Sequence, residues 1–374
     1  MTHPRFPRDP DFAQFMKVLR REPTDRPTLF EFYLNPSLYE QLAGRPAPTN
    51  PGAAGGHGGG EHTGTPGRTS ARDREERLAG YRKLGRWYAD AFGAAGYDYV
   101  NFGPDVAYPG YHFREGSHEK AVSHSLNDQP LIASREDFER FAWPDPGLLD
   151  PGIMDALTAD LPRGMEAMVF TPCGVLENLV DLVGYDNLCF MLVDDRELVS
   201  MIARRISDAL LELYRMVAEH PRLGAMIAND DWGFKTQTMI SPADLREFVY
   251  PGHREIARVS HEAGKPILLH SCGELREVMD DLITDIGYDA KHSFEDVIEP
   301  VEEIYERWGD RIAVLGGVDV GFLCESSPEE ITRRSRAMLE RTRDRGGYAL
   351  GSGNSIPDYV PREAYFAMTR AALT

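Results

Sequence analysis

Eight short apolar runs recur along the chain, at 28–32, 97–101, 167–171, 225–229, 266–270, 288–293, 312–316 and 347–351. Runs this short, bounded by turn and helix signals, read as parallel strands buried on both faces. Nearly every adjacent pair is separated by a stretch with helical patterning, and this alternation implies a parallel α/β sheet. At 374 residues, closure into a (β/α)8 TIM barrel is the simplest arrangement. An open doubly wound sheet is the rival, and the lack of a Gly-x-Gly-x-x-Gly after an early strand counts against it. Residues 1–27 read as an N-terminal arm ahead of the barrel. Residues 43–71, rich in Gly, Pro and Thr, cannot offset their ordering entropy by burial and read as a flexible insertion within one barrel domain. His57 and His62 fall in that insertion and read as solvated loop residues.

The formal net charge of −19 opposes nucleic acid or an anionic membrane surface as partner, since both select a basic footprint. No apolar run approaches the roughly 18 residues of a membrane span, and the polar, Pro-rich start lacks the apolar core of a signal peptide. The four cysteines, Cys173, Cys189, Cys272 and Cys324, are sparse and irregularly spaced. That suits a reducing cytoplasm better than a disulfide framework. Cys189 and Cys324 sit among apolar neighbours and read as core; Cys173 reads more as packing than as a ligand.

A barrel of this kind places its active site at the carboxyl ends of the strands. The richest such end is Lys265–Gly273, where an apolar run leads directly into His270-Ser271-Cys272-Gly273. His270 and Cys272 are two apart in extended chain and share one face, and imidazole plus thiolate make a plausible half of a zinc site. Each also has a plainer reading, as a satisfied core histidine and a small packing cysteine. The other strand ends carry Glu31, Asn101, Asp105, Thr171, Asp230, Asp231, Ser293, Glu295, Asp319 and Asn354. Asp230 and Asp231 cannot both point inward from a regular strand, so one faces the pocket and the other caps or pairs. The stretch from Phe102 to about His124 is too long for a bare connection, and reads as a pocket wall bearing Asp105, Tyr111 and His112. With Glu31 and Gln237, these three are the candidate substrate contacts.

The segments Gly174–Asp195, Asp230-Asp231-Trp232-Gly233, Ser241-Pro242, Leu269-His270-Ser271-Cys272-Gly273, Leu315-Gly316-Gly317-Val318-Asp319 and Gly351–Pro357 carry a resemblance in their order and spacing. The chain resembles the uroporphyrinogen decarboxylase superfamily, from about Arg26 and most strongly from Glu166 onward. That superfamily includes the decarboxylase, corrinoid- or coenzyme-M-linked methyltransferases and, more distantly, cobalamin-independent methionine synthase. The resemblance implies a TIM barrel, a small-molecule substrate and a homodimer. In the methyltransferase branch it implies zinc on His-x-Cys plus a later cysteine, with a corrinoid protein as partner. That cysteine would fall near Asn354 and is missing; the decarboxylase's histidine near the same place and its arginine-rich arm are missing too, Arg20, Arg21 and Arg26 being a loose echo.

The expectation is therefore a divergent member in which His270, Cys272 and a carboxylate bind Zn²⁺. Glu295 is the carboxylate assigned to the metal, with Asp231 or Cys173 as substitutes. Zinc would activate a thiol or water to accept a methyl or alkyl group, while Asp230, Asp231, Asp319 and Asn354 act on the substrate. Two alternatives stay open. One is a metal-free decarboxylase or lyase, in which Asp230 or Asp319 stabilises a cationic intermediate. The other is a non-catalytic receptor built on the same barrel.

Overall fold

The computed structural model describes residues 8–52, 71–114 and 130–373. His57, His62 and most of the Gly-rich insertion lie outside the described residues, as does the part of the pocket-wall loop beyond Arg114.

Seven strands pair in parallel and strictly in sequence order: β1 (Tyr99–Phe102), β2 (Glu166–Phe170), β3 (Leu223–Asn229), β4 (Ile267–His270), β5 (Ala290–His292), β6 (Ala313–Leu315) and β7 (Tyr348–Ala349). They occupy seven of the eight apolar runs. Their residues are almost uniformly buried, as continuous apolar runs covered on both faces require. The helices between them pack outside and include Val175–Val183, Arg196–Ala218, Tyr250–Glu262, Val301–Trp308 and Pro328–Thr342.

The remaining run, 28–32, closes the barrel without becoming a ladder. On one side Leu29 bridges Leu350 in parallel, with backbone bonds Phe30 N to Leu350 O and Leu350 N to Thr28 O. On the side facing β1, side chains do the joining. The Tyr99 hydroxyl accepts from Glu31 N at 2.7 Å and donates to Glu31 O at 2.8 Å, and Asn101 Nδ2 donates to Phe32 O at 2.6 Å. A ring and an amide standing between the two backbones satisfy the groups a regular ladder would pair, so the eighth member is held but not assigned as strand.

The helices start where their caps dictate. Asn35 accepts from Leu38 N to open Pro36–Ala43. Ser327 and Glu330 form a reciprocal capping box ahead of Pro328–Thr342. Asp195 accepts from Leu198 N at the head of Arg196–Ala218, whose Leu198, Ile202, Ile206, Leu210, Leu213 and Val217 form the buried stripe. One cysteine departs from expectation. Cys189 is exposed rather than core, because Tyr185–Asp194 buries only Leu188 and turns Phe190 and Val193 outward. Cys324 is half-buried against the core.

Candidate metal centre

The ends of β3 and β4 are locked together before any ligand is considered. Glu274 N donates to Phe234 O at 2.7 Å, and Trp232 N donates to Ser271 Oγ at 3.1 Å. The two loops approach so closely that a Cβ on Gly273, whose φ is +88°, would stand 2.1 Å from Gly233 O. The glycines of Asp-Asp-Trp-Gly and His-Ser-Cys-Gly are thus a matched pair: each allows the other's backbone to pass.

Asp230 and Asp231 divide their roles as strand geometry requires. Asp230 is fully buried. Its Oδ1 accepts from Glu177 N at 2.9 Å and its Oδ2 from Leu176 N at 3.0 Å, so it caps Val175–Val183, whose own N-cap, Gly174, has no side chain to do so. Oδ2 also lies 2.8 Å from His253 Nε2. Asp231 turns the other way. Its Oδ1 accepts from Cys272 N at 2.7 Å, and it joins His270 and Cys272 in a group whose ligand atoms all lie within 4.8 Å of one another.

Within that group Cys272 Sγ is 3.8 Å from His270 Nε2. Tetrahedral zinc with ordinary Zn–S and Zn–N bonds holds such a pair about 3.5 Å apart, so a small inward movement suffices. The charges fit as well. Burial pushes the Cys272 thiol well above its ordinary value, with the Asp231 charge adding to the effect. Burial also raises Asp231, helped by Asp230. Two half-buried acids that are costly to ionise beside each other would be offset by a divalent cation. The residues present therefore fit zinc: Asp231, His270 and Cys272 would hold it.

The surroundings support the three. Asn354 Nδ2 donates to Cys272 Sγ at 3.3 Å, occupying the place where a third cysteine was sought. Ser293 Oγ lies 3.5 Å from the same sulfur, on a residue with φ of +98°, a conformation rare for a residue with a Cβ and concentrated at functional sites. His270 stacks on Phe32 with ring centres 4.1 Å apart, and its Nδ1 lies 2.8 Å from His292 Nδ1. Burial holds the His292 ring neutral, down to about 3. Lys291 is buried beside the cluster, donates to Ser271 O at 3.2 Å and Ser293 O at 2.7 Å, and is pulled down to about 8 by that burial. Glu177 lies near Asp231; burial and that charge hold its carboxyl well above the usual range, and its Oε2 is buried with no hydrogen-bond partner.

The other candidates lie elsewhere. Glu295 follows β5, half-buried; it is outside the three-residue group, and its carbonyl accepts from the Ile298 and Glu299 amides. Asp319 spends both oxygens on backbone, Oδ1 on Phe322 N and Oδ2 on Asp296 N. Glu31 is fully buried, accepting from Ser352 N and Oγ at 2.7 Å each. Tyr111 is buried and donates to Ala209 O, and His112 is half-buried beside it. Asp105 and Gln237 are exposed, with carbonyls engaged by Asn50 Nδ2 and Phe234 N. Cys173 stands outside the group with φ of +58°. Sequence reasoning passed over His292, Lys291 and Glu177, and named Ser293 only as a strand-end residue. The signal for the first two was present: an apolar run that ends Lys-His-Ser is polar where a buried strand should not be.

Comparison with known proteins bears on the family and the fold. A family model described as uroporphyrinogen decarboxylase (URO-D) matches residues 127–374. Methylated-thiol--coenzyme M methyltransferase of Methanosarcina mazei is 31% identical over 123 residues, 33% of this chain. The match spans 32% of that relative's own length. Among solved structures, a methyltransferase from Methanosarcina mazei aligns over 96% of this chain and 97% of its own, with a TM-score of 0.65 and 15% identity, a likeness of fold.

Proposed function

The chain belongs to the uroporphyrinogen decarboxylase family, and from that premise we propose that it is a zinc-dependent methyl- or alkyltransferase. One observation carries the reading: Asp231, His270 and Cys272 bring a carboxylate, an imidazole and a thiol within 4.8 Å of one another at the strand ends. Bound there, zinc supplies a Lewis acid that lowers the pKa of a coordinated thiol or water and makes it a nucleophile near neutral pH. Three protein ligands leave a fourth position for that nucleophile.

The chain's own groups prepare the site. Cys272 N–H fixes the Asp231 carboxylate, Asn354 donates to the Cys272 sulfur and favours its thiolate, and Phe32 walls the imidazole from water. Asp231 takes the role first assigned to Glu295. The methylated-thiol relative makes methylated sulfur compounds the first donors to try, with a corrinoid, free or protein-bound, as the exchange partner. The metal-free alternative is weakened on its own terms. Asp230 and Asp319, which it needed in the pocket, are committed to helix caps and His253, and the buried Lys291 is committed to carbonyls.

The test is methyl exchange between methylcobalamin and a panel of small thiols, followed by the cobalamin absorbance. Sulfur of the thiolate takes the methyl group and cob(I)alamin leaves with the electron pair. Zinc-loaded wild type is expected to turn over at least one thiol, with Cys272→Ala slower by roughly 100-fold or more. Turnover that survives both zinc removal and Cys272→Ala contradicts the proposal.

A further inference from the structure

A line of hydrogen bonds runs from the metal centre back through the barrel. His270 Nδ1 lies 2.8 Å from His292 Nδ1. His292 Nε2 lies 3.2 Å from the Ser352 carbonyl, and the Ser352 amide and hydroxyl both donate to Glu31. Every member is buried: His270 is 4% exposed, His292 1%, Ser352 and Glu31 0%.

The chemistry of the far end dictates the near end. A carbonyl oxygen only accepts, so the proton between His292 and Ser352 sits on His292 Nε2. A neutral imidazole carries one N–H, which leaves His292 Nδ1 as an acceptor. Two ring nitrogens 2.8 Å apart share a single proton, so that proton belongs to His270 Nδ1. The His270 Nε2 lone pair is then the one facing Cys272 Sγ, 3.8 Å away. The geometry around His292 is built for this. Phe30 meets its ring edge-on at 4.8 Å, and at Gly316 a Cβ would stand 2.2 Å from Ser352 O and 3.1 Å from His292 Nε2. Any side chain at Gly316 would wedge apart the bond that sets the proton.

We propose that His292 is a positioning residue for the metal centre: it holds His270 as the Nδ1–H tautomer, with Ser352 and Glu31 holding His292 in turn. The proposal rests on the zinc reading above for its consequence, though the tautomer itself does not require metal. Ligating histidines depend on such partners by about 10- to 100-fold in metal affinity.

Two measurements test it. The first is zinc affinity by competition with a chromogenic chelator. His292→Leu, which keeps bulk but offers no acceptor, is expected to bind about 10- to 100-fold more weakly than wild type. His292→Asn, whose Oδ1 can stand where Nδ1 stood, is expected to recover most of the loss, and thermal melting confirms that each variant is folded. The second is the ¹⁵N spectrum of histidine-labelled, metal-free wild type, with the His270 signals identified by their loss in His270→Gln. Protonated Nδ1 and unprotonated Nε2 are expected. Equal zinc affinity in wild type and His292→Leu overturns the proposal, and so does an Nε2–H tautomer of His270 in the metal-free protein. If wild type binds no zinc, the functional reading fails, while the ¹⁵N spectrum still decides the role of His292. If His292→Leu does not fold, the same spectrum decides it.

Discussion

Glu31 shows how fully the fold itself can engage a strand-end carboxylate. It is completely buried, held by the amide and hydroxyl of Ser352, and burial pushes its carboxyl from 4.5 up to about 8. The folded state therefore binds this proton more tightly than the unfolded chain does. The associated stability is full below about pH 4.5 and is lost as pH rises through about 8. Glu31→Gln carries no such proton. Urea unfolding from pH 5 to 8 is expected to show wild-type stability falling with pH more steeply than the variant's, by up to ~1.4 kcal/mol per unit; parallel profiles would refute this origin. The residues of the centre itself were unevenly legible. His270 and Cys272 announce themselves by type and spacing. That Asp231 would join them and Glu295 would not depends on which of two adjacent aspartates the chain turns inward, and only the partner helix at Val175 resolves that, by taking Asp230 as its cap. His292 was invisible as a partner because its role depends on the residue directly opposite it across the sheet, His270 in β4.

Strands and helices were read more easily than the seam between them. Seven apolar runs became strands because a buried parallel strand is a local pattern of composition and length. The run 28–32 was legible as extended chain, but not its mode of closure, since that is set by Tyr99 from a distant strand. Tyr99 is fully buried, and its hydroxyl satisfies both the amide and the carbonyl of Glu31. Tyr99→Phe leaves two buried backbone groups unpaired and is expected to cost ~1–3 kcal/mol of stability, read as a lowered urea midpoint with unchanged slope. A midpoint equal to wild type would mean that the seam is held by the Leu29–Leu350 side alone. The same reasoning explains the exposed Cys189: its apolar neighbours predict burial, but Tyr185–Asp194 lies on the outside and presents Phe190 and Val193 to solvent.

At the scale of the whole molecule, the acidic balance is consistent with the proposed metal centre. The chain carries a net charge of −19, and its candidate centre gathers Asp231, Cys272 and Glu177 in a half-buried cluster whose acids are all raised. Such a cluster favours a cation over an anionic substrate at the same point. Among the described residues no helix is long and apolar enough to cross a membrane. We propose that this barrel holds a metal on Asp231, His270 and Cys272. The most direct test is elemental analysis of protein purified without chelator and dialysed against zinc, for wild type, Cys272→Ala and Asp231→Ala. About one zinc per chain is expected in wild type, with most of it lost in both variants. Zinc-free wild type, or variants that retain the metal at the wild-type level, would contradict it.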